Sequence, residues 1–95
     1  MDKIEAINIL ERELVVYRQK TYVELVSLVN GQFDTKEMQT TNGKNYQTSI
    51  NVHWDSSQGG NIRVCGAIDD GGWMSSHFPL SLDLIKSPND EFIDE

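Results

Sequence analysis

The chain has 95 residues, a formal net charge of −7 and a hydrophobic fraction of 38%. That length gives one domain with a single modest core, and it excludes an enzyme with separate cofactor and substrate halves. The acidic balance excludes the basic stripe that a nucleic-acid binder needs, and equally a protein docked on anionic lipid.

Residues 2–19 carry a helical pattern. Asp2 and Glu5 have capping-box spacing, and Ile4, Ile7, Leu10, Leu14 and Tyr17 share one side at helical period. Glu11 and Arg18 lie beside that apolar arc, while Ile9 and Val16 stack on the opposite side as exposed residues or as a contact for a partner or the tail. A second helix is expected at about 21–30. Thr21 and Glu24 cap it, Leu25, Val26, Leu28 and Val29 give its apolar face, and Asn30-Gly31 stops it.

After Gly31 the period becomes two. A weak, edge-like strand is expected over 33–40, followed by a hairpin at Asn42-Gly43 with a type I′ turn. The second strand, 45–54, sends Tyr46, Thr48, Ile50, Val52 and Trp54 one way and Gln47, Ser49, Asn51 and His53 the other. Residues 55–60 form a loop. The third strand, 61–68, points Ile62, Val64, Gly66 and Ile68 inward, and Asp69-Asp70-Gly71-Gly72 turns the chain into a fourth strand at about 73–80. Beyond it the sequence reads as irregular, with a turn at Ser87-Pro88-Asn89-Asp90 and an acidic end. The fold class is therefore α+β: one or two N-terminal helices (2–30) packed on an antiparallel four-stranded meander sheet (33–80). Residues 81–95 follow as an irregular acidic C-terminal segment of the single domain 1–95.

Apolar matching sets the register, because a slip of one residue sends every side chain to the other face. Trp54 should oppose Ile62, Val52 oppose Val64, and Ile50 oppose Gly66. The last pair should match Ile68 with Met74, Gly66 with Ser76, Val64 with Phe78, and Ile62 with Leu80. Gly66 leaves a dip that a helix side chain or Tyr17 can enter. On the outer face Asn51, Cys65 and His77 then line up, with His53 beside Arg63 and Trp73 beside Asp69. A Cys–His–Asn row has the residue types of a thiol nucleophile, its base and an orienting group. A flat solvated sheet face accounts for the same row, and the sequence supplies no oxyanion donors or concave pocket.

Other strings are less demanding. Asp69-Asp70-Gly71-Gly72-Trp73 reads first as a hairpin turn and second as a cation or polar-ligand loop, although it lacks the ordered oxygen ligands of a calcium loop. Trp73 with Arg63, flanked by Asp69 and Asp70, is the interface candidate, since Trp and Arg dominate hot spots. Residues 55–60 lack the Lys and following helix of a phosphate loop. One cysteine and two histidines give no structural zinc set, and no metal or cofactor is expected. A single cysteine, a charged start and no long apolar run lead to an expectation of a cytoplasmic protein without a membrane span.

The stretch from Gly59 to Trp73, with Phe78-Pro79-Leu80 and the ending from Ser87 to Glu95, resembles a pattern in small bacterial proteins of unassigned function. Its most specific element is Asp69-Asp70-Gly71-Gly72-Trp73. The resemblance implies a bacterial source and carries no catalytic residues. In size and charge the chain is also similar to small acidic immunity proteins, which cover the toxins they neutralise.

Two functions follow as expectations. The first is a non-enzymatic protein-binding module, immunity-type in one version, whose acidic surface meets a basic protein partner. Its charge lies late in the chain: residues 83–95 hold five acids and one lysine, −4 of the total −7. The second is small-ligand binding or weak enzymatic activity in a helix–sheet pocket lined by Glu11, Arg18, Tyr17, Tyr46 and Trp54. A homodimer through Ile9 and Val16, or through the edge strand at 33–40, is the remaining alternative.

Overall fold

Asp2 starts the first helix, α1 (Lys3–Arg18): its carboxylate accepts the Glu5 backbone N–H at 3.1 Å. The Glu5 side chain does different work, accepting the Tyr46 hydroxyl at 2.8 Å. These positions come from a computed structural model, which describes residues 2–70 and 80–93. The second helix, α2 (Tyr22–Val26), has the full capping box: Thr21 Oγ1 accepts the Glu24 N–H at 3.2 Å, and the Glu24 carboxylate accepts the Thr21 N–H at 3.0 Å. The helix is shorter than its apolar run implied. Tighter turns carry the chain to Asn30, whose φ of 59° makes the stop and whose N–H reaches the Val52 carbonyl.

The sheet contains β1 (Asp34–Gln39), β2 (Asn45–Trp54), β3 (Ile62–Asp69), β4 (Leu80–Lys86) and β5 (Phe92–Ile93). All neighbours are antiparallel and adjacent in sequence, so the described sheet is a five-stranded meander rather than a four-stranded one. The expected β2–β3 register is present, with Trp54 opposite Ile62, Val52 opposite Val64 and Ile50 opposite Gly66. In two strictly alternating strands a slip of one residue would turn one of the apolar sets outward.

The last part of the sheet differs from expectation. The partner of β3 is 80–86: Ile68 opposes Leu80, Gly66 opposes Leu82, Val64 opposes Leu84 and Ile62 opposes Lys86. Leu80, Leu82 and Leu84 alternate as well as any strand in the chain, and they complete the inner face. The expected strand at 73–80 therefore does not pair as Ile68–Met74 or Val64–Phe78, and its residues up to 79 lie outside the described residues. The segment taken as irregular is a hairpin, β4–β5. Ser87 N–H bonds the Glu91 carbonyl at 2.8 Å, and Asp90 sits at φ 70°. The β1–β2 hairpin has the same form, with Thr40 N–H on the Lys44 carbonyl at 2.8 Å and Gly43 at φ 85°. Both are three-residue loops in which one residue takes the left-handed conformation, so Asn42 does not need the positive φ of a type I′ turn.

The core lies between α1 and the inner sheet face. It joins Ala6, Ile9, Leu10 and Leu14 to Ile50, Val52, Ile62, Val64 and Ile68, with Leu25 of α2 closing one end. The buried face of α1 is turned from the expected one: Ile9 is 3% exposed and Ile4 is 77% exposed. A stripe of polar ties from α1 to the β1–β2 edge accompanies this rotation. Glu5 holds Tyr46, Glu13 pairs with Lys36 at 3.0 Å, and the Tyr17 hydroxyl donates to Asp34 at 3.0 Å. These residues recur every four or eight positions, so they lie on one line along the helix with Ile9. A dimer through Ile9 and Val16 is thereby lost, since Ile9 is core.

Candidate functional site

The outer sheet face carries the polar side chains of β2, β3 and β4. The pairing places Asn51, Cys65 and Asp83 in one row and His53, Arg63 and Ile85 in the next. Asn51 and Cys65 meet as expected, and so do His53 and Arg63. The third member of the first row is Asp83, not His77, because β4 is 80–86. The residue paired with Cys65 on β4 is thus a carboxylate engaged by Arg63, where the expected row needs an imidazole base. His77 and Trp73 themselves lie outside the described residues.

The strongest polar grouping on this face is centred on Arg63. Its Nε donates to Asp55 at 2.8 Å and its Nη1 to Asp83 at 2.6 Å. Hydrogen bonds to Asp55 and Asp83 hold the guanidinium firmly in its charged form, against some desolvation. Asp55 is positioned by the β2–β3 loop, where its N–H bonds the Asn61 carbonyl at 2.9 Å. The arrangement is an arginine shared between two carboxylates, which fixes β4 and the 55–61 loop onto β3. On the described side Arg63 is engaged by Asp55 and Asp83, and Trp73, the other member of the expected interface pair, lies outside the described residues. Asp69 and Asp70 sit half-buried at the end of β3 and just past it.

The expected helix–sheet pocket residues do not converge. Glu11 and Arg18 are exposed on α1, and Trp54 is half-buried beside the core. Tyr17 and Tyr46 are buried, but each spends its hydroxyl on an edge carboxylate. Burial first, then the bond to Asp34, pushes Tyr17 up to about 12; burial, then the bond to Glu5, does the same for Tyr46, also to about 12. At the centre of the interface a Cβ built on Gly66 would stand 3.1 Å from Leu10 Cδ1 and 3.3 Å from Leu14 Cδ2. The dip at Gly66 is therefore filled, by two leucines of α1 rather than by Tyr17.

No family model, curated protein or solved structure matches the chain. Its function has to be argued from its own residues. Among the described residues, no group of three or more His, Cys, Asp or Glu side chains is placed to hold a metal ion. Among the same residues, no helix is long and apolar enough to cross a membrane.

Two features escaped the sequence reading. Lys86 is an inner-face residue only 6% exposed; its ammonium donates to the Lys20 carbonyl at 2.9 Å, pairs with Asp90 at 3.3 Å and lies 4.3 Å from the Phe92 ring centre. Those partners replace the water that a buried ammonium loses. Asp90 also accepts the Tyr22 N–H at 2.8 Å, tying the β4–β5 loop to α2. Two of the five acids counted in 83–95, Asp83 and Asp90, are consequently bound to cations within the fold. The second feature is a surface hollow of about 460 Å³ at the β1–β2 edge, whose charged lining residues are Glu37 and Asp70. The weak amphipathic signal of Asp34–Gln39 was the available hint that this strand is an exposed edge.

Proposed function

We propose that the chain is a non-enzymatic protein-binding module of the bacterial cytoplasm, immunity-type in role, whose partner is a basic protein. The filled contact at Gly66 is the observation that carries this reading. The inner sheet face is spent on the core, so recognition is left to open surfaces: the outer sheet face and the β1 edge. A net charge of −7 then selects the sign of the partner, acting mainly on encounter rate and choice. The small-ligand alternative needs room between helix and sheet, where Leu10 and Leu14 already sit.

The test is capture from a bacterial lysate on the immobilised chain, at low and at high salt. A small set of basic proteins held at low salt and released at high salt is the expected result. The same abundant proteins at both salts would contradict the reading.

A further inference from the structure

We propose that the open edge of β1 docks an extended strand of the basic partner, which adds to the sheet and sets a Lys or Arg over Glu37; this rests on the protein-binding reading and gives it a place. β1 is the outermost strand on its side of the described sheet, and all of its residues are exposed except half-buried Met38. The Thr40 N–H bonds the Lys44 carbonyl, and the same register runs through the strand. Bonded pairs alternate along an antiparallel ladder. Asp34, Lys36 and Met38 therefore turn their backbone groups to β2, and Thr35, Glu37 and Gln39 turn theirs away from it.

A second copy of the chain fits this edge poorly. Two-fold antiparallel self-pairing with the longest overlap centres on Lys36 or on Glu37. The first sets lysine against lysine and the second glutamate against glutamate, each a destabilising pair. A strand of different sequence meets no such conflict. Its chemistry is set by the outer face. Lys36 and Asp34 lie on the inner face, where Glu13 and Tyr17 already hold them. Glu37 is the charged residue of β1 on the outer face, beside the hollow it shares with Gln39, Asn45, Gln47 and Asp70. Glu37 is the acid that lines this hollow from β1, so a basic side chain opposite it meets complementary charge. Main-chain bonds at Thr35, Glu37 and Gln39 supply affinity, and the charge supplies choice.

The test uses the labelled full chain and a short peptide alternating lysine and valine, with a glutamate–valine peptide as its counterpart, at low salt. Amide exchange at Thr35, Glu37 and Gln39 should slow by about tenfold or more at saturating lysine peptide. Thr35→Pro, which removes an outward N–H and no bond to β2, should abolish that protection while the β2–β3 amides stay protected. Glu37→Lys should weaken the lysine peptide by about tenfold and favour the glutamate peptide. Equal binding of the two peptides by the unaltered chain, lysine-peptide binding that leaves the β1 amides unchanged, or no binding of it overturns the proposal. A free chain that sediments as a dimer with these amides protected overturns it too. The broader reading fails separately: salt-dependent lysate capture that survives both substitutions keeps the module and removes the edge.

Discussion

Replacing Gly66 by alanine tests the packing on which the functional reading depends. The new methyl would meet Leu10 Cδ1 at 3.1 Å and Leu14 Cδ2 at 3.3 Å, both closer than ordinary van der Waals contact, with Leu14 Cδ1 at 3.4 Å. Both leucines are fully buried, at 0% exposure, so neither tip can swing into solvent. Overpacking of this kind costs about 1–3 kcal/mol. Alanine regains about 0.5–1 kcal/mol because a strand glycine is entropically unfavourable. The net loss is then up to about 2.5 kcal/mol, read as a drop of up to about 2 M in the urea midpoint or up to about 12 °C in Tm. Gly66→Val should lose more. The pair Gly66→Ala with Leu10→Ala should lose less than the sum of its members, because the added methyl fills part of the space left by the leucine. A valine variant as stable as the original chain would refute the reasoning. It would mean room between α1 and the sheet, and would restore the pocket that the packing argument removes.

Other expectations concern the polar ties. Arg63→Met should lower the unfolding midpoint by leaving Asp55 and Asp83 facing each other, and adding Asp55→Asn and Asp83→Asn should recover part of the loss in the same melts. Asp90 is held below the ordinary carboxylate range by the Tyr22 N–H and then by Lys86, and Glu24 by the Thr21 N–H and hydroxyl. Depressed carboxylates add stability that is present above their unfolded value, near pH 4, and is lost as pH falls through the folded values. The acid limb of a stability–pH curve should therefore flatten in Asp90→Asn. Tyr17 and Tyr46, raised to about 12, act at the other end. Their contribution is intact below about pH 10 and is lost between about 10 and 12. Ultraviolet titration should find those two phenols ionising late, and Tyr17→Phe should remove one late step.

The sequence made β2 and β3 legible in detail because each has a strict alternation over its whole length, and because Gly66 marks the point of closest approach. The helix caps at Asp2 and Thr21, the stop at Asn30 and the turn at Ser87–Asp90 were legible for the same local reason. Lys86 hid β4. A lysine at an inward position reads as the end of an apolar pattern, and only Lys20, Asp90 and Phe92, remote in sequence or across a turn, make its burial tolerable. The rotation of α1 was equally non-local. Apolar period alone favours Ile4 over Ile9, and the ties from Glu5, Glu13 and Tyr17 to β1 and β2, which lie on the Ile9 side, connect residues far apart in sequence. The outer-face row failed with the β4 register: once Leu80, Leu82 and Leu84 face inward, Asp83 stands beside Cys65. The clustering of charge late in the chain was arithmetically correct but mechanically different, since Asp83 and Asp90 serve the fold.

The most direct measurement is amide hydrogen exchange on the free chain, residue by residue along β1. An edge left open for a partner predicts protected N–H groups at Lys36 and Met38, alternating with fast exchange at Thr35, Glu37 and Gln39. Protection at all of these positions in the monomer would show the edge already covered, and would contradict a protein that recognises its partner there.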